Sequence, residues 1–112
     1  MTPDEVYLHH IKQALERIRA YTERGKGAFM LDPMAQDATI RNLEVIGEAT
    51  KRLSETFRAE HPEIPWSRMA GMRDVLVHDY MGVDLEIVWD VIENRLGDLK
   101  TGLASLLPES EA

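Results

Sequence analysis

The sequence predicts an all-α protein, and three observations support this class. Apolar residues recur every three or four positions in each long segment, which is the spacing of one helix face. A polar capping residue followed by proline stands where two of these segments begin. No segment alternates apolar and polar residues as a half-buried strand does. We therefore expect an up-down bundle of four to five helices, with two long helices, a shorter third and a long fourth.

The first helix is predicted to begin after Thr2. Thr2 supplies a capping side chain, Pro3 suits the first helical position, and Glu5 completes a capping box. Its apolar stripe is Leu8, Ile11, Leu15 and Ile18. The Gly25–Gly27 segment is expected to end the helix, because glycine readily adopts the left-handed C-terminal conformation.

The second helix is predicted to open at Asp32 and Pro33 by the same capping logic. Its stripe contains Ala35, Ala38, Val45, Ile46, Ala49, Leu53 and Phe57. Asn42 falls within this stripe, so its amide should be partly buried and hydrogen-bonded. A structural role for Asn42 would be to pin the turn that carries Arg73. Glu44 and Glu48 are one turn apart, and either acid–base work or pairing with Lys51 and Arg52 would suit them.

The segment His61–Pro65 contains two prolines and should interrupt the helices. Trp66 is expected to fill the core at this corner. The third helix should start near Ser67, run to about Tyr80 and end at Gly82. Its predicted buried side is Met69, Met72, Val75 and Leu76.

Asp84 should cap the fourth helix. The helix is predicted to carry one continuous stripe of Leu85, Val88, Trp89, Ile92, Leu96, Leu99, Leu103 and Leu106. Pro108 should stop it. Residues 1–107 are thus expected to form a single helical domain, and residues 108–112 a disordered acidic tail.

Composition limits the classes of function. The chain has 112 residues, no cysteine and no apolar run approaching a membrane span, which fits a soluble protein of the reducing cytoplasm. It has 13 basic and 20 acidic side chains, so its net charge is −7. A uniformly basic nucleic-acid binder is excluded, and an acidic body favours docking to a basic protein partner. A nuclease would need a local positive cleft.

The residues with the most distinctive chemistry are Arg73, His78 and Tyr80. Arginine is a permanent cation whose planar fork suits phosphate oxygens. Histidine exchanges protons near neutral pH, and tyrosine offers a hydroxyl for hydrogen bonding or modification. Together they suit phosphodiester cleavage without a metal ion. The alternative is an ordinary helix end, with a capping histidine and solvated charges.

Helix geometry separates two of these residues. Arg73 and Tyr80 share a face, whereas His78 points roughly 140° away from Arg73 on a straight helix. Asp74 and His78 share a face. A second copy of the chain could bring the Arg73 and His78 side chains of both copies together. We therefore expect a two-fold homodimer in which the two Arg73/His78 pairs line one cleft.

The motif Arg73-x4-His78-x-Tyr80 resembles the signature of the HEPN superfamily, and within it the HepT-like toxins. Three further segments, Arg41–Ala49, Pro62–Trp66 and Met81–Asp84 with Val88-Trp89, are similar to this family in the same order. The similarity covers about residues 4 to 105.

This resemblance implies a type VII toxin, a metal-independent endoribonuclease whose catalytic residues are Arg73 and His78. Asp74 and Asn42 would support them. It also implies an MntA-like nucleotidyltransferase antitoxin that adds AMP to Tyr80, and it implies no cofactor and no metal. The alternative is a non-catalytic helical module that binds and regulates a nucleotidyltransferase.

Overall fold

The computed structural model describes residues 2–77 and 84–106, and for residues 72–77 it describes the backbone alone. Within these residues there is no strand, and the chain forms seven helices. They are α1 (Pro3–Thr22), α2 (Lys26–Met30), α3 (Pro33–Arg52), α4 (Glu55–Glu60), α5 (Trp66–Val77), α6 (Leu85–Asn94) and α7 (Leu96–Ala104). The predicted all-α class is confirmed.

The centre of the fold is the antiparallel pair α1 and α3. The predicted capping box is present, because the Thr2 hydroxyl accepts from the Glu5 amide at 3.1 Å and the Glu5 carboxylate accepts from the Thr2 amide at 3.3 Å. These hydrogen bonds lower the pKa of Glu5. At the same end of the bundle, Asp4 accepts from both the amide and the hydroxyl of Ser54 at 2.8 Å. The start of α1 therefore lies beside the end of α3.

The core lies between these two helices and the others that cover them. Its buried apolar residues are Leu8, Ile11, Ala14, Leu15, Ile18, Phe29, Leu43, Ile46, Ala49, Leu53, Ile64, Trp66, Met69, Val88, Leu96, Leu99 and Leu103. Among the helix pairs, α1 with α3 and α3 with α5 have the most extensive contacts. The core thus reaches directly to the helix that carries Arg73.

The predicted second helix is shorter than expected. α3 ends at Arg52, because Leu53 and Ser54 are extended, with ψ angles of 143° and 151°. The Ser54 side chain then caps α4 by accepting from the Phe57 amide at 3.1 Å. Ser54 also donates to Asp4, so capping and the tertiary bond together stop α3. Phe57 belongs to the separate helix α4 rather than to the α3 stripe.

The predicted fourth helix is interrupted at Arg95, which ends α6 and begins α7 with φ −121° and ψ −34°. Asp84 caps α6 as predicted, since its carboxylate accepts from the Glu86 amide at 2.9 Å. α6 packs against α2 through the Trp89 and Phe29 rings, whereas α7 packs along α1. Because of this break, the two halves of the predicted stripe pack against different helices, α6 against α2 and α7 against α1.

The first helix ends at Thr22, before the predicted glycine signal. Gly25 has a φ of +95°, which favours glycine, and it leads into the short helix α2, which periodicity did not predict. α2 buries Phe29 in the core. The glycine therefore redirects the chain into a further helix instead of a plain turn.

Trp66 fills the corner after the two prolines, as predicted, and is the first residue of α5. Its indole nitrogen donates to the carbonyls of Arg58 and His61 at 3.1 and 2.9 Å. Met69 is buried one turn later. The residues 107–112, which include the predicted tail, lie outside the described part of the chain.

Candidate functional site

The helix α5 carries the first half of the motif. The backbone of Arg73 and Asp74 lies in α5, and their side chains are outside the described residues. His78 and Tyr80 also lie outside them, between α5 and the Asp84 cap of α6. The convergence of Arg73 and His78 in one site therefore stays a prediction.

The described elements identify the end of the bundle toward which α5 runs. α5 begins at Trp66, beside α4, and Met69 of α5 lines one cavity together with Leu43 of α3. α6 starts at the opposite end, where Glu86 binds Lys26 of α2. The far end of α5 thus approaches the bundle end formed by α2, the first turns of α3 and the first turn of α6.

Asn42 is buried and hydrogen-bonded, as predicted. Its side chain is 6% exposed, and its amide nitrogen donates to the Ala38 carbonyl at 2.8 Å. This bond lies within α3 and satisfies one N–H of the side-chain amide. The role of Asn42 in pinning the turn of Arg73 stays a prediction. Thr39, one turn earlier, is fully buried, and its hydroxyl has no hydrogen-bond partner among the residues that the structure describes. With Thr50, α3 therefore has three buried polar residues beside the core.

A groove of about 360 Å³ runs between α5 and the helices α6 and α7, and we name it the α5–α7 groove. Its lining includes the buried residues Leu43, Met69 and Leu99. Ile87 also lines it and is 47% exposed. The groove thus joins a buried apolar floor to an apolar side chain open to solvent.

Among the described residues, the rim of the α5–α7 groove has balanced charge. Its cations there are Arg68 and Arg95, and its carboxylates are Asp90 and Asp98. The Asp90 carboxylate lies 3.9 Å from the Arg95 guanidinium and accepts from the side-chain amide of Asn94 at 2.7 Å. This balance contrasts with the net charge of −7 of the whole chain. Two copies of a surface with equal numbers of both charges have no net like-charge repulsion between them.

The carboxylates Glu44 and Glu48 line a shallow groove between α1 and α3, together with Arg41 and Arg52. Carboxylates that lie beside cations on a surface are usually solvated or ion-paired. This favours the pairing interpretation over acid–base work. His10 is exposed and contacts the ring of Tyr7 edge-on at 6.1 Å. Within the described ranges, no three His, Cys, Asp or Glu side chains are grouped to hold a metal ion.

The contact between α2 and α6 was not expected from the sequence. The Lys26 ammonium lies 2.8 Å from the Glu86 carboxylate, and this hydrogen-bonded pairing raises the pKa of Lys26. The Phe29 and Trp89 rings are tilted at a centroid distance of 5.4 Å. The signal for this contact was the apolar run Ala28–Leu31 directly after Gly27, which is too short for a periodicity argument.

Comparison with known proteins identifies the family. The family described as Ribonuclease HepT-like matches residues 11–106, which is most of the chain. A Thermococcus cleftensis protein named "Probable ribonuclease HepT" is 44% identical over 95 residues, covering 84% of this chain and 86% of that protein. The chain belongs to the ribonuclease HepT-like family.

Two further relatives agree with this assignment. A protein of Caldanaerobacter subterraneus subsp. tengcongensis, named as a candidate RNase, is 39% identical over 109 residues, covering 94% of this chain and 95% of that protein. A Methanocaldococcus jannaschii protein named as a gamma-glutamylcyclotransferase and candidate RNase is 39% identical over 106 residues, covering 94% of this chain. The match spans only 48% of that longer protein.

A solved structure shares the fold. It is the tri-AMPylated HEPN toxin of Shewanella oneidensis in complex with its MNT antitoxin, with a TM-score of 0.69 and 24% identity. The match covers 95% of this chain and 98% of that toxin. At this identity the likeness establishes a HEPN helical fold. None of the helices among residues 2–77 and 84–106 has the length and apolar character of a membrane span.

Proposed function

We propose that the protein is a metal-independent endoribonuclease toxin whose catalytic residues are Arg73 and His78. The observation that carries this proposal is the family match over residues 11–106, which contains the complete Arg73-x4-His78-x-Tyr80 motif. The helical backbone of α5 through Arg73 supports it, since the motif begins on a rigid element packed against α3.

The proposed reaction is a transesterification within RNA. The 2′-hydroxyl attacks the adjacent phosphorus, the bond from phosphorus to the 5′-oxygen breaks, and a 2′,3′-cyclic phosphate and a 5′-hydroxyl form. His78 takes the 2′-hydroxyl proton, and a protonated histidine gives a proton to the leaving oxygen. Arg73 stabilises the extra negative charge on the phosphorane oxygens. No metal ion is needed for any of these steps.

The site is proposed to be shared by two copies of the chain. One His78 would serve as base and the other as acid. In a site shared in this way, a single helix does not have to bring its own Arg73 and His78 together. The α5–α7 groove supports this arrangement, because its apolar floor, exposed Ile87 and balanced rim suit a two-fold interface beside α5. The homodimer would then complete the catalytic cleft.

Asp74 and Asn42 are proposed to have supporting roles. Asp74 lies four residues before His78, so a continued helix would let its carboxylate orient the imidazole of its own or the partner copy. Asn42 is buried in α3, the helix on which α5 packs most extensively. Its support would be indirect, through the shape of the α3 surface on which α5 lies.

The activity is proposed to be controlled by a nucleotidyltransferase of the MntA type, which adds AMP to the Tyr80 hydroxyl. The Shewanella oneidensis toxin is AMPylated and is bound to an MNT antitoxin, which supports this extension. An attached AMP would place phosphates near Arg73, where RNA phosphate is proposed to bind. Modified protein would then bind RNA less well.

A non-catalytic module that regulates a nucleotidyltransferase is the second candidate. Charge favours it, because seven of the 20 acidic side chains and only two of the 13 basic ones follow residue 83. This acidic C-terminal quarter suits a basic protein surface better than RNA. The two candidates differ in whether the isolated protein cleaves RNA.

The test is RNA cleavage by the purified protein in excess chelator. Wild type should cleave, and His78→Ala should be slower by about 10² to 10⁴, the usual contribution of a general acid–base group. His10→Ala, which removes an exposed imidazole from α1, is the matched control and should cleave like wild type. A wild-type protein that leaves RNA intact would favour the module instead.

A further inference from the structure

Large apolar side chains are exposed at the corner where α2 meets α3. Leu31, the residue that ends α2, is 86% exposed, and Met34 in the first turn of α3 is 82% exposed. Tyr21, in the last turn of α1, is 38% exposed and lines a cavity together with Leu31. We name these three residues the α2 corner patch. In the described part of the chain, Ile87 is the one other large apolar residue that is comparably exposed, so this corner concentrates such side chains.

The fold does not require apolar side chains at these positions. Leu31 ends α2 through its backbone amide, which donates to the Ala28 carbonyl at 3.2 Å. Met34 joins α3 through its backbone amide, which donates to the Asp32 carboxylate at 3.1 Å. A polar residue would make both hydrogen bonds equally well. Exposed apolar side chains that cluster without a role in packing are typical of a surface that binds a partner.

The α2 corner patch borders a cavity of about 290 Å³ that is already formed in the free chain. Its lining includes Phe29, which is 1% exposed, and the small side chains of Ala28 and Ala35. The Gln36 side chain of α3 donates to the Phe29 carbonyl at 2.9 Å, which holds α2 against α3. A partner would therefore meet an apolar pocket that needs little ordering on binding.

The charge around this cavity favours an acidic ligand. Among the described residues, its charged lining side chains are Arg24 and Asp32. The Asp32 carboxylate accepts from the Met34 and Ala35 amides at the start of α3, where the partial positive charge of the helix offsets its own. Within residues 2–77 and 84–106, Arg24 has neither a hydrogen bond nor an ion pair. Its guanidinium is thus available to a carboxylate of a partner.

These features fit a protein segment better than RNA. One unengaged cation beside exposed apolar side chains cannot neutralise the successive phosphates of an RNA strand. Tyrosine, methionine and arginine, by contrast, are enriched at protein interfaces, and the α2 corner supplies one of each in Tyr21, Met34 and Arg24. A pocket with a buried aromatic residue suits a single anchoring side chain of the other protein.

We propose that the α2 corner patch is the docking surface for the nucleotidyltransferase partner, which places an apolar side chain in the cavity and a carboxylate against Arg24. This inference rests on the proposed function, which supplies the identity of the partner. The cavity has no described lining residue in common with the α5–α7 groove. Docking here would consequently leave that groove available to a second copy of the chain.

Removal of the apolar side chains tests the docking surface. Binding of purified MntA-type nucleotidyltransferase, without ATP so that no AMP is transferred, is measured by titration calorimetry. The variant Leu31→Ser/Met34→Ser should raise Kd at least about tenfold, the effect of losing one interface hot spot. Both side chains are exposed, so its urea unfolding midpoint should match that of wild type.

Charge reversal tests the predicted carboxylate of the partner. Arg24→Glu should also raise Kd at least about tenfold at low salt, because like charges would then face each other. The difference from wild type should shrink at high salt, which screens this repulsion. Lys100→Glu changes the net charge equally at an exposed position of α7, and it should bind the nucleotidyltransferase like wild type.

RNA cleavage and sedimentation of the same variants separate this inference from the proposed function. The patch variants should cleave RNA and sediment like wild type. If wild type leaves RNA intact but the patch variants lose the nucleotidyltransferase, the docking surface stands and the ribonuclease assignment fails. A wild type that does not bind the nucleotidyltransferase, or an equal Kd for Leu31→Ser/Met34→Ser, would overturn the docking surface. So would altered sedimentation of the patch variants, since a second copy would then cover the patch.

Discussion

At the scale of single residues, the proposed role of Arg73 depends on what a side chain must supply to a metal-free phosphodiester cleavage. A guanidinium can give two parallel hydrogen bonds to phosphate oxygens, whereas an ammonium acts as a point charge. Arg73 stands in α5 one turn after the buried Met69. Its backbone position is therefore fixed by the core, which suits a role in transition-state stabilisation.

Arg73→Lys tests this role. The charge is kept and the fork is lost, so kcat for RNA cleavage should fall by about 10² or more, as for loss of one oxyanion donor. Arg17→Lys, an exposed arginine of α1, should cleave like wild type under the same conditions. Full activity in Arg73→Lys would mean that Arg73 supplies only charge or structure.

Tyr80→Phe tests the proposed control. Incubation of wild type with an MntA-type nucleotidyltransferase and ATP should add AMP masses, which intact-mass spectrometry resolves. The Tyr80→Phe variant should gain none, because it lacks the acceptor hydroxyl, while Tyr21→Phe should be modified like wild type. AMP additions that persist on Tyr80→Phe would place the acceptor elsewhere.

At the scale of helices, local signals predicted the starts better than the ends. Thr2, Asp32 and Asp84 cap α1, α3 and α6 as expected, because an N-cap is a bond between near neighbours in sequence. The break at Ser54 depends on a distant partner. Ser54 is held by Asp4, fifty residues earlier, so its role could not be read from the neighbouring residues.

The same distinction applies to the candidate site. The chemistry of the motif and the burial of Asn42 were accessible from residue types and helical spacing. The contact between α2 and α6 could not be predicted in this way, since it joins Lys26 to Glu86 and Phe29 to Trp89 across sixty residues of sequence. Contacts of this kind arise from the packing of helices, which local patterns leave open.

Two glycines of α7 give a test of its packing. A Cβ on Gly102 would lie 3.1 Å from the Cγ1 atom of buried Ile64, whereas a Cβ on Gly97 meets nothing within 4 Å. Gly97→Ala should therefore stabilise the protein by up to about 1 kcal/mol through helix propensity. Gly102→Ala should gain less or lose stability, because Ile64 has little room to move. Urea unfolding of the two variants measures the difference, and an equal gain would contradict the close α7 contact.

At the scale of the whole molecule, the central question for the proposed function is how an acidic chain would form a cleft for RNA. The net charge of −7 opposes both RNA binding and self-association unless charge is locally balanced. The α5–α7 groove has such a balance, with Arg68 and Arg95 facing Asp90 and Asp98 around an apolar floor. Dimer formation there would place two α5 helices near one another.

Ile87→Glu tests this interface. Ile87 is 47% exposed in the groove. A carboxylate there would be desolvated against the apolar floor in a dimer, whereas in a monomer it would stay hydrated and leave the fold unchanged. Sedimentation should find wild type as a dimer and Ile87→Glu as a monomer with greatly reduced RNA cleavage. Leu31→Glu is the matched control, because Leu31 is 86% exposed and lies on α2's side of the bundle. A monomeric and active wild type would rule out the shared site.

The most direct test of the ribonuclease assignment is mass spectrometry of the RNA products formed in excess chelator by wild type and by His78→Ala. Attack by the 2′-hydroxyl predicts fragments ending in 2′,3′-cyclic phosphate, paired with fragments that begin with a 5′-hydroxyl. These products should be abundant with wild type and nearly absent with His78→Ala. Fragments ending in a 3′-hydroxyl, or the same cyclic phosphates at the same rate from His78→Ala, would contradict metal-independent cleavage by Arg73 and His78.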